Sequence, residues 1–186
     1  YSGTGDTGSI GTGTVAVSAS DGIIGWGRWI GNITTTGPAN TLTSTVFDYV
    51  VGIPTAAMPT TGTATYSLLG YTSPTDRNGL PGYTVTGTLS ANFANSTVGV
   101  NMSVANATTT AYTFNNTATP FAIAAGSTFS GNITTTSSSP TYCTGGCTTS
   151  VNGFFAGTNA SRAGLSYSIT DTMAGNNIQG VAAFTR

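Results

Sequence analysis

The chain contains no lysine, no glutamate and no histidine, and charged residues make up only 5% of its 186 positions. Without histidine, catalytic triads of the serine–histidine–aspartate and cysteine–histidine types are excluded, and general acid–base catalysis has only aspartates available. Without lysine, self-catalysed lysine–asparagine isopeptide bonds are excluded. The sequence therefore predicts a protein that is not an enzyme, with no catalytic residues and no cofactor.

The scarcity of charge also limits the partners. Four arginines against five aspartates give a formal net charge of −1, whereas nucleic-acid binding needs a basic face. Two cysteines without histidine cannot supply the four ligands of a zinc site. A weak cation site formed by Asp21 and Asp48 stays open as the alternative to two solvated carboxylates. No apolar run approaches 18 residues, so we expect no transmembrane helix. The scarcity of basic residues and of metal ligands predicts no nucleic-acid partner and no bound metal.

Hydroxyl and amide side chains replace ions as the source of solubility. Threonine, serine and asparagine are abundant, and the chain has 26 glycines. A surface that depends on hydroxyls and amides is better suited to a secreted or cell-surface protein than to a cytosolic one. We therefore expect an extracellular or cell-surface location, and the family resemblance described below implies that this surface is bacterial.

Period-two alternation recurs along the chain, and strong helix formers are rare. In "YTVTGTLSANF" (83–93), Tyr83, Val85 and Leu89 fall on one face and threonines on the other. About eight such runs follow one another from residue 62 with short connections. Each has one apolar face, which favours a filled core over a membrane-spanning barrel. The sequence predicts an all-β fold, an antiparallel eight-stranded up-and-down β-barrel.

Two further strand-like runs precede the barrel, at 22–31 and 46–53. We predict three parts. Residues 1–20 form a flexible arm or a donor-like strand. Residues 21–60 form an N-terminal strand pair and connector packed on the barrel, and residues 61–186 form the barrel itself.

The end of the chain resembles a known family. "GFFAGTNASRAGLSYSI" (153–169) followed by "IQGVAAFTR" (178–186) resembles the end of the C-terminal β-barrel of the transferrin-binding protein B family. "GIIGWGRW", "YVVGIPT" and "GTATYSLLGYTSPT" are similar to other bacterial surface-protein barrels. The resemblance implies an eight-stranded barrel displayed outside the inner membrane that captures a protein or ligand. It transfers no binding residues to this chain.

Four residues are candidate contacts with a partner. In the strand "GWGRW", Trp26 and Arg28 share one face and Trp29 takes the other. Tryptophan and arginine are enriched at binding hot spots, although one tryptophan could instead plug the barrel or cap its end. Asp76 and Arg77 lie in the proline- and glycine-containing loop 73–82, which is either a recognition loop or a solvated hairpin tip.

The two cysteines, Cys143 and Cys147, flank a short glycine-containing turn. We predict a disulfide bond that closes this turn between two strands. Redox activity is not expected, because the spacing is not C-x-x-C.

Two functions from different classes remain. The first is a binding module that presents its loops to a protein partner or a small ligand. The second is a structural subunit that self-associates, donating residues 1–20 as a strand to a neighbour to build a fibre or sheath.

Overall fold

The computed structural model describes residues 7–9, 12–36, 41–106, 110–139, 143, 145–171 and 177–186. This part of the chain consists of β-strands and a single turn of 3₁₀ helix, Thr158–Ala160. The strands are β1 (Thr7–Ser9), β2 (Thr14–Ser20), β3 (Ile24–Thr36), β4 (Thr41–Gly52), β5 (Thr63–Tyr71), β6 (Tyr83–Asn92), β7 (Thr97–Asn106), β8 (Ala111–Asn115), β9 (Phe121–Ala122), β10 (Thr128–Ser137), β11 (Cys147–Ala156), β12 (Arg162–Asp171) and β13 (Asn177–Thr185).

Eight strands close into a barrel. Each of β5, β6, β7, β8, β10, β11, β12 and β13 pairs antiparallel with the next of this series, and β13 pairs with β5 to complete the ring. The two-residue strand β9 pairs in addition with the start of β7. The predicted eight-stranded up-and-down barrel is therefore confirmed.

The alternating pattern fills the interior of this barrel. In β7, Val98, Val100, Met102 and Val104 are buried, whereas Asn101 is exposed. Burying one such side chain stabilises the fold by about 1.5 to 3 kcal/mol. A barrel of eight strands is just wide enough for side chains to fill it. Its fully buried large side chains include Tyr66, Leu89, Phe114, Phe155, Leu165, Ile169, Ile178 and Phe184.

Phe155 on β11 lies at the centre of an aromatic cluster in this core. Its ring centroid is 5.7 Å from that of Tyr66, 6.2 Å from Phe93 and 5.5 Å from Phe129. The cluster needs a glycine beside it, because a Cβ on Gly153 would overlap the Phe129 ring. Glycine on the inner face of this strand thus provides room for a large ring.

A second sheet contains β3 at its centre. β4 pairs with one edge of β3, and β2 and β1 pair with successive parts of the other edge, all antiparallel. β3 and β4 are the predicted N-terminal strand pair. Part of the predicted arm, β2, is a strand of this sheet paired with the chain's own β3. The proposed divisions at residues 20 and 60 stay a prediction, and residues 1–6, 10 and 11 lie outside the described residues.

Candidate functional site

The inner face of the N-terminal sheet packs on the outside of the barrel wall. Ile24 and Trp26 of β3 form a buried cluster with Val181 and Ala183 of β13. Phe154, the outward-facing neighbour of a core residue of β11, packs against this cluster. The alternation of the sequence predicts that Phe154 faces outward or toward the N-terminal segment, and this is confirmed.

Trp26 packs on the outer surface of the barrel wall at a glycine of β5. A Cβ on Gly70 of β5 would overlap the Trp26 indole, so the absence of a side chain at this position lets the ring pack directly against the strand. Trp26 therefore neither plugs the barrel nor caps its end. It joins the sheet to the outer wall.

Arg28 and Asp48 form a buried ion pair next to Trp26. They are register partners on β3 and β4, and Arg28 Nε donates to Asp48 Oδ1 at 2.9 Å. Arg28 also donates through a terminal guanidinium nitrogen to the carbonyl of Ser73, in the loop after β5. One arginine thus ties β3, β4 and a barrel loop together.

The position of Trp26 and Arg28 bears on their predicted role. Trp26 is 9% exposed and Arg28 is 4% exposed, because both lie between the sheet and the barrel. A partner cannot contact either side chain without separating the two layers. Partner binding through this pair stays a prediction that its burial disfavours.

The opposite face of the same sheet carries an exposed apolar strip. Val15, Trp29 and Phe47 are register neighbours across β2, β3 and β4, and Tyr49 and Val51 follow on β4. Phe47 is 40% exposed, Val15 and Val51 are more exposed still, and Trp29 and Tyr49 are half-buried. The Trp29 ring centroid lies 6.3 Å from that of Phe47 and 5.6 Å from that of Tyr49. We call these five residues the outer strip.

Sequence reasoning missed the outer strip. The available signal was "VFDYVV" (46–51), in which Phe47, Tyr49 and Val51 alternate with Asp48. The alternation assigns these side chains to one face. It does not say which face is covered, and the barrel covers the face of Asp48.

The loop 73–82 is ordered by its own aspartate. Asp76 Oδ1 accepts hydrogen bonds from the backbone amides of Asn78 at 2.8 Å and Leu80 at 3.0 Å. Thr75 at its start is buried and forms a backbone bridge to Gln179. Arg77 is exposed at the turn. Recognition by Asp76 and Arg77 stays a prediction, with Asp76 positioned chiefly to hold the turn.

Asp21 and Asp48, the residues of the possible cation site, have separate partners. Asp21 pairs with Arg162 of β12, whereas Asp48 pairs with Arg28. Burial raises the pKa of Asp21, but the Ile24 amide, Arg162 and the Ile23 amide outweigh it and lower that pKa to about 2. Among the described residues, no group of three or more aspartates or cysteines could hold a metal ion.

The predicted disulfide bond joins Cys143 and Cys147. Cys147 is buried at the first position of β11, and the Cys143 amide donates to Asp171 Oδ2 at 3.0 Å. The disulfide bond therefore attaches the β10–β11 loop to the start of β11, and the amide hydrogen bond attaches the same loop to the end of β12. Pro140, Thr141, Tyr142 and Thr144 of this loop lie outside the described residues.

Replacing both cysteines by serine is expected to lower the free energy of unfolding by about 2 kcal/mol or less. The reason is that a disulfide across so few residues removes little entropy from the unfolded chain. Urea denaturation with and without a reductant measures this, and the reductant should not affect the double variant. A loss above about 4 kcal/mol, the size expected for a long loop, would contradict this view of the bond.

The chain is similar to known proteins in its three-dimensional structure, and not in its sequence at a level that family models or curated sequences detect. No protein-family model matches the chain, and no curated protein sequence matches it either. In the part of the chain that the structure describes, no helix is long and apolar enough to cross a membrane.

Solved structures do match. Isotype 1 transferrin-binding protein B from serogroup B Neisseria meningitidis aligns with 100% of this chain and 37% of its own, with a TM-score of 0.57 and 18% identity. A variant of transferrin-binding protein B from Actinobacillus pleuropneumoniae H49 aligns with 92% of this chain and 80% of its own (TM-score 0.51, 15% identity). A surface lipoprotein aligns with 93% and 81% (TM-score 0.52, 12% identity).

These matches confirm the expected resemblance at the level of the fold. The barrel and the N-terminal sheet together are similar to a lobe of transferrin-binding protein B. The chain spans little more than a third of the Neisseria protein. At such low identity the likeness concerns the fold alone.

Proposed function

We propose that this chain is a non-enzymatic binding module that is displayed on a bacterial cell surface and captures a protein partner. Two of the similar structures are binding proteins by name, and another is a surface lipoprotein. The scarcity of charge and the abundance of hydroxyl and amide side chains fit an extracellular location.

The outer strip is the observation that carries this proposal. It places three aromatic and two aliphatic side chains on the face of the N-terminal sheet that points away from the barrel. Tryptophan and tyrosine are enriched at protein–protein hot spots, and contiguous exposed apolar surface marks interaction sites. A shallow depression of about 730 Å³ beside the strip adds Ile23 and Ile53 to the apolar surface.

The charge distribution indicates what kind of partner fits. Arg28 and Asp48, the charged residues of β3 and β4, face the barrel instead of the outer strip. Binding by the strip therefore depends on apolar burial rather than on ion pairs. We expect a partner with an apolar patch and an affinity that changes little with salt.

Catalysis is not part of the proposal, because carboxylates that could act as acids or bases already form structural ion pairs. Asp48 and Asp21 are each paired with an arginine, and the chain has no histidine. The fibre alternative is not proposed either, since β2, its predicted donor strand, pairs within its own chain.

Light scattering after size exclusion tests the choice between these functions. We expect a monodisperse particle near 18.6 kDa, since in this proposal the outer strip binds a different protein and not a second copy of the chain. Polymers or a ladder of oligomers, abolished when residues 1–20 are deleted, would overturn the proposal in favour of self-assembly.

Surface plasmon resonance against purified serum proteins, transferrin among them, tests capture itself. We expect saturable binding that Phe47→Ser and Trp29→Ala each weaken about tenfold or more, as hot-spot truncation does. Leu80→Ser is the matched control, because Leu80 is an exposed apolar residue outside the strip. Loss of binding in Leu80→Ser but not in Phe47→Ser would instead assign recognition to the loop 73–82.

A further inference from the structure

The chain contains two asparagine–glycine pairs, Asn78–Gly79 and Asn152–Gly153. Such a pair is prone to a covalent rearrangement, because glycine has no Cβ to shield its backbone nitrogen. Both asparagine side chains are exposed. Exposure alone therefore does not distinguish the two pairs, and the backbone around each of them decides which one reacts.

The rearrangement needs only the protein and water. The backbone nitrogen of the glycine attacks the side-chain carbonyl carbon Cγ of the asparagine, and the new C–N bond closes a succinimide ring. The bond from Cγ to Nδ2 breaks, and this nitrogen leaves as ammonia together with the proton of the glycine nitrogen. Water then opens the ring at either carbonyl, which gives aspartate or isoaspartate. The backbone must rotate to bring the two reacting atoms together, so a fixed backbone prevents the reaction.

The backbone of Asn152 and Gly153 is fixed in the barrel wall. Asn152 of β11 pairs with Ser130 of β10 on one side and with Ser166 of β12 on the other. Gly153 is buried, and the Phe129 ring packs directly against it. Rotation here would break the pairing of β11, and the central strands of a fold open only at a free energy close to that of global unfolding. We therefore expect Asn152 to be protected in the folded protein.

Asn78 and Gly79 lie in the loop 73–82, and neither belongs to a strand. Their backbone is held by bonds to a single residue. The Asn78 amide donates to Asp76 Oδ1 at 2.8 Å, and the Gly79 amide donates to the Asp76 carbonyl at 2.9 Å. Hydrogen bonds of an exposed turn open at a much lower free energy than those of a sheet interior. The Gly79 nitrogen is therefore released often enough to attack, whereas the Gly153 nitrogen is not.

We propose that Asn78 is a site of spontaneous deamidation in the folded protein and that Asn152 is not. The reaction also changes the turn. The Asn78 Nδ2 donates a hydrogen bond to Asp76 Oδ2 at 3.4 Å, whereas the product places a second carboxylate beside that of Asp76. An attraction that holds the turn thus becomes a repulsion between like charges. This inference does not rest on the proposed function, since the outer strip lies on β2, β3 and β4.

Peptide mapping by mass spectrometry tests the site on the whole chain incubated in mildly alkaline buffer. Chymotrypsin supplies the peptides, and isoaspartyl methyltransferase labels the isoaspartate product. The same chain in urea is the reference, because both pairs should react once it is unfolded. In the folded protein we expect Asn78 to react about tenfold or more faster than Asn152, with similar rates in urea. Equal rates in the folded protein, or reaction of Asn78 in urea alone, would overturn the proposal.

Two matched variants assign the product by its charge. Deamidation adds one negative charge to a chain whose formal net charge is −1, so ion exchange separates the product from the parent. Asn78→Gln should prevent the main acidic form from appearing, because the longer glutamine side chain closes such a ring far more slowly. Asn152→Gln should leave this form unchanged. A main acidic form that persists in Asn78→Gln, or disappears in Asn152→Gln, would overturn the assignment.

A second pair of variants tests the effect on the turn. Asn78→Asp places the aspartate product at the site, and Asn95→Asp makes the same change at another exposed turn asparagine. The Leu80 amide, which donates to Asp76 Oδ1 at 3.0 Å, should exchange its hydrogen faster in Asn78→Asp and at the parent rate in Asn95→Asp. A Leu80 amide that exchanges at the parent rate in Asn78→Asp would contradict the loosening of the turn.

Discussion

Replacing Phe155 by alanine is expected to lower the free energy of unfolding by about 3 to 5 kcal/mol. The side chain is 0% exposed and lies within 6.2 Å, between ring centroids, of three other aromatic rings. The closed barrel cannot collapse around the resulting cavity, because its wall is held by hydrogen bonds on both sides of β11. Urea denaturation followed by circular dichroism measures the loss.

The adjacent residue supplies the control for this prediction. Phe154→Ala removes the same ring from the half-buried junction between the barrel and the N-terminal sheet. It should cost less than Phe155→Ala, since part of that ring is already exposed. Equal losses, or a loss below about 1 kcal/mol for Phe155→Ala, would show that the two phenylalanines do not divide between core and outer wall.

Replacing Arg28 by methionine is expected to lower the free energy of unfolding by about 3 to 5 kcal/mol. The change leaves the buried Asp48 carboxylate without its counter-ion and releases the carbonyl of Ser73. The double variant Arg28→Met/Asp48→Leu should recover most of the loss, because apolar replacements of a buried ion pair are often neutral. Urea denaturation of the two variants and the parent protein provides the comparison.

This loss should depend on pH in a defined direction. Burial raises the pKa of the Asp48 carboxyl above its ordinary value of 3.8, and the Arg28 guanidinium and the Thr72 hydroxyl lower it by less. The folded protein thus holds the Asp48 proton more tightly than the unfolded chain does. Ionisation of Asp48 therefore reduces stability as the pH rises through the folded-state pKa. Removing Arg28 raises that pKa further.

The deficit of Arg28→Met should accordingly be full at neutral pH and shrink toward about pH 4, where the unfolded aspartate also becomes protonated. Arg77→Met is the control, since Arg77 is exposed and a surface interaction contributes about 1 kcal/mol or less. It should change stability by no more than that at either pH. A deficit in Arg28→Met that grows as the pH falls, or a double variant no better than the single, would contradict a buried pair.

Much of the barrel could be predicted because each strand of the barrel has one buried face. In β6 and β7 the side-chain period of two is enough to assign Val85, Leu89 and Val98 to the core. The outward orientation of Phe154 follows from the same period once Phe155 is inside. The disulfide bond was predictable because its two cysteines are close in sequence and no other cysteine competes.

The candidate sites were predicted less well, because they depend on which surface another part of the chain covers. The period of two correctly separated Trp26 and Arg28 from Trp29 on β3. It could not show that the barrel covers the first pair and leaves the second face to solvent. The pairing of β2 with β3 was equally invisible, since an alternating segment can add to the edge of any sheet.

The sequence by itself determined the strands of the barrel, their inner and outer faces and the near absence of catalytic chemistry. These follow from local periodicity and from residue types. Only the tertiary structure decided that Trp26 lies against Gly70, that Arg28 joins Asp48 to the carbonyl of Ser73, and that the outer strip is exposed. Each of these features depends on segments distant in the chain, and a one-dimensional pattern divides the side chains of a strand between two faces without showing what covers either face.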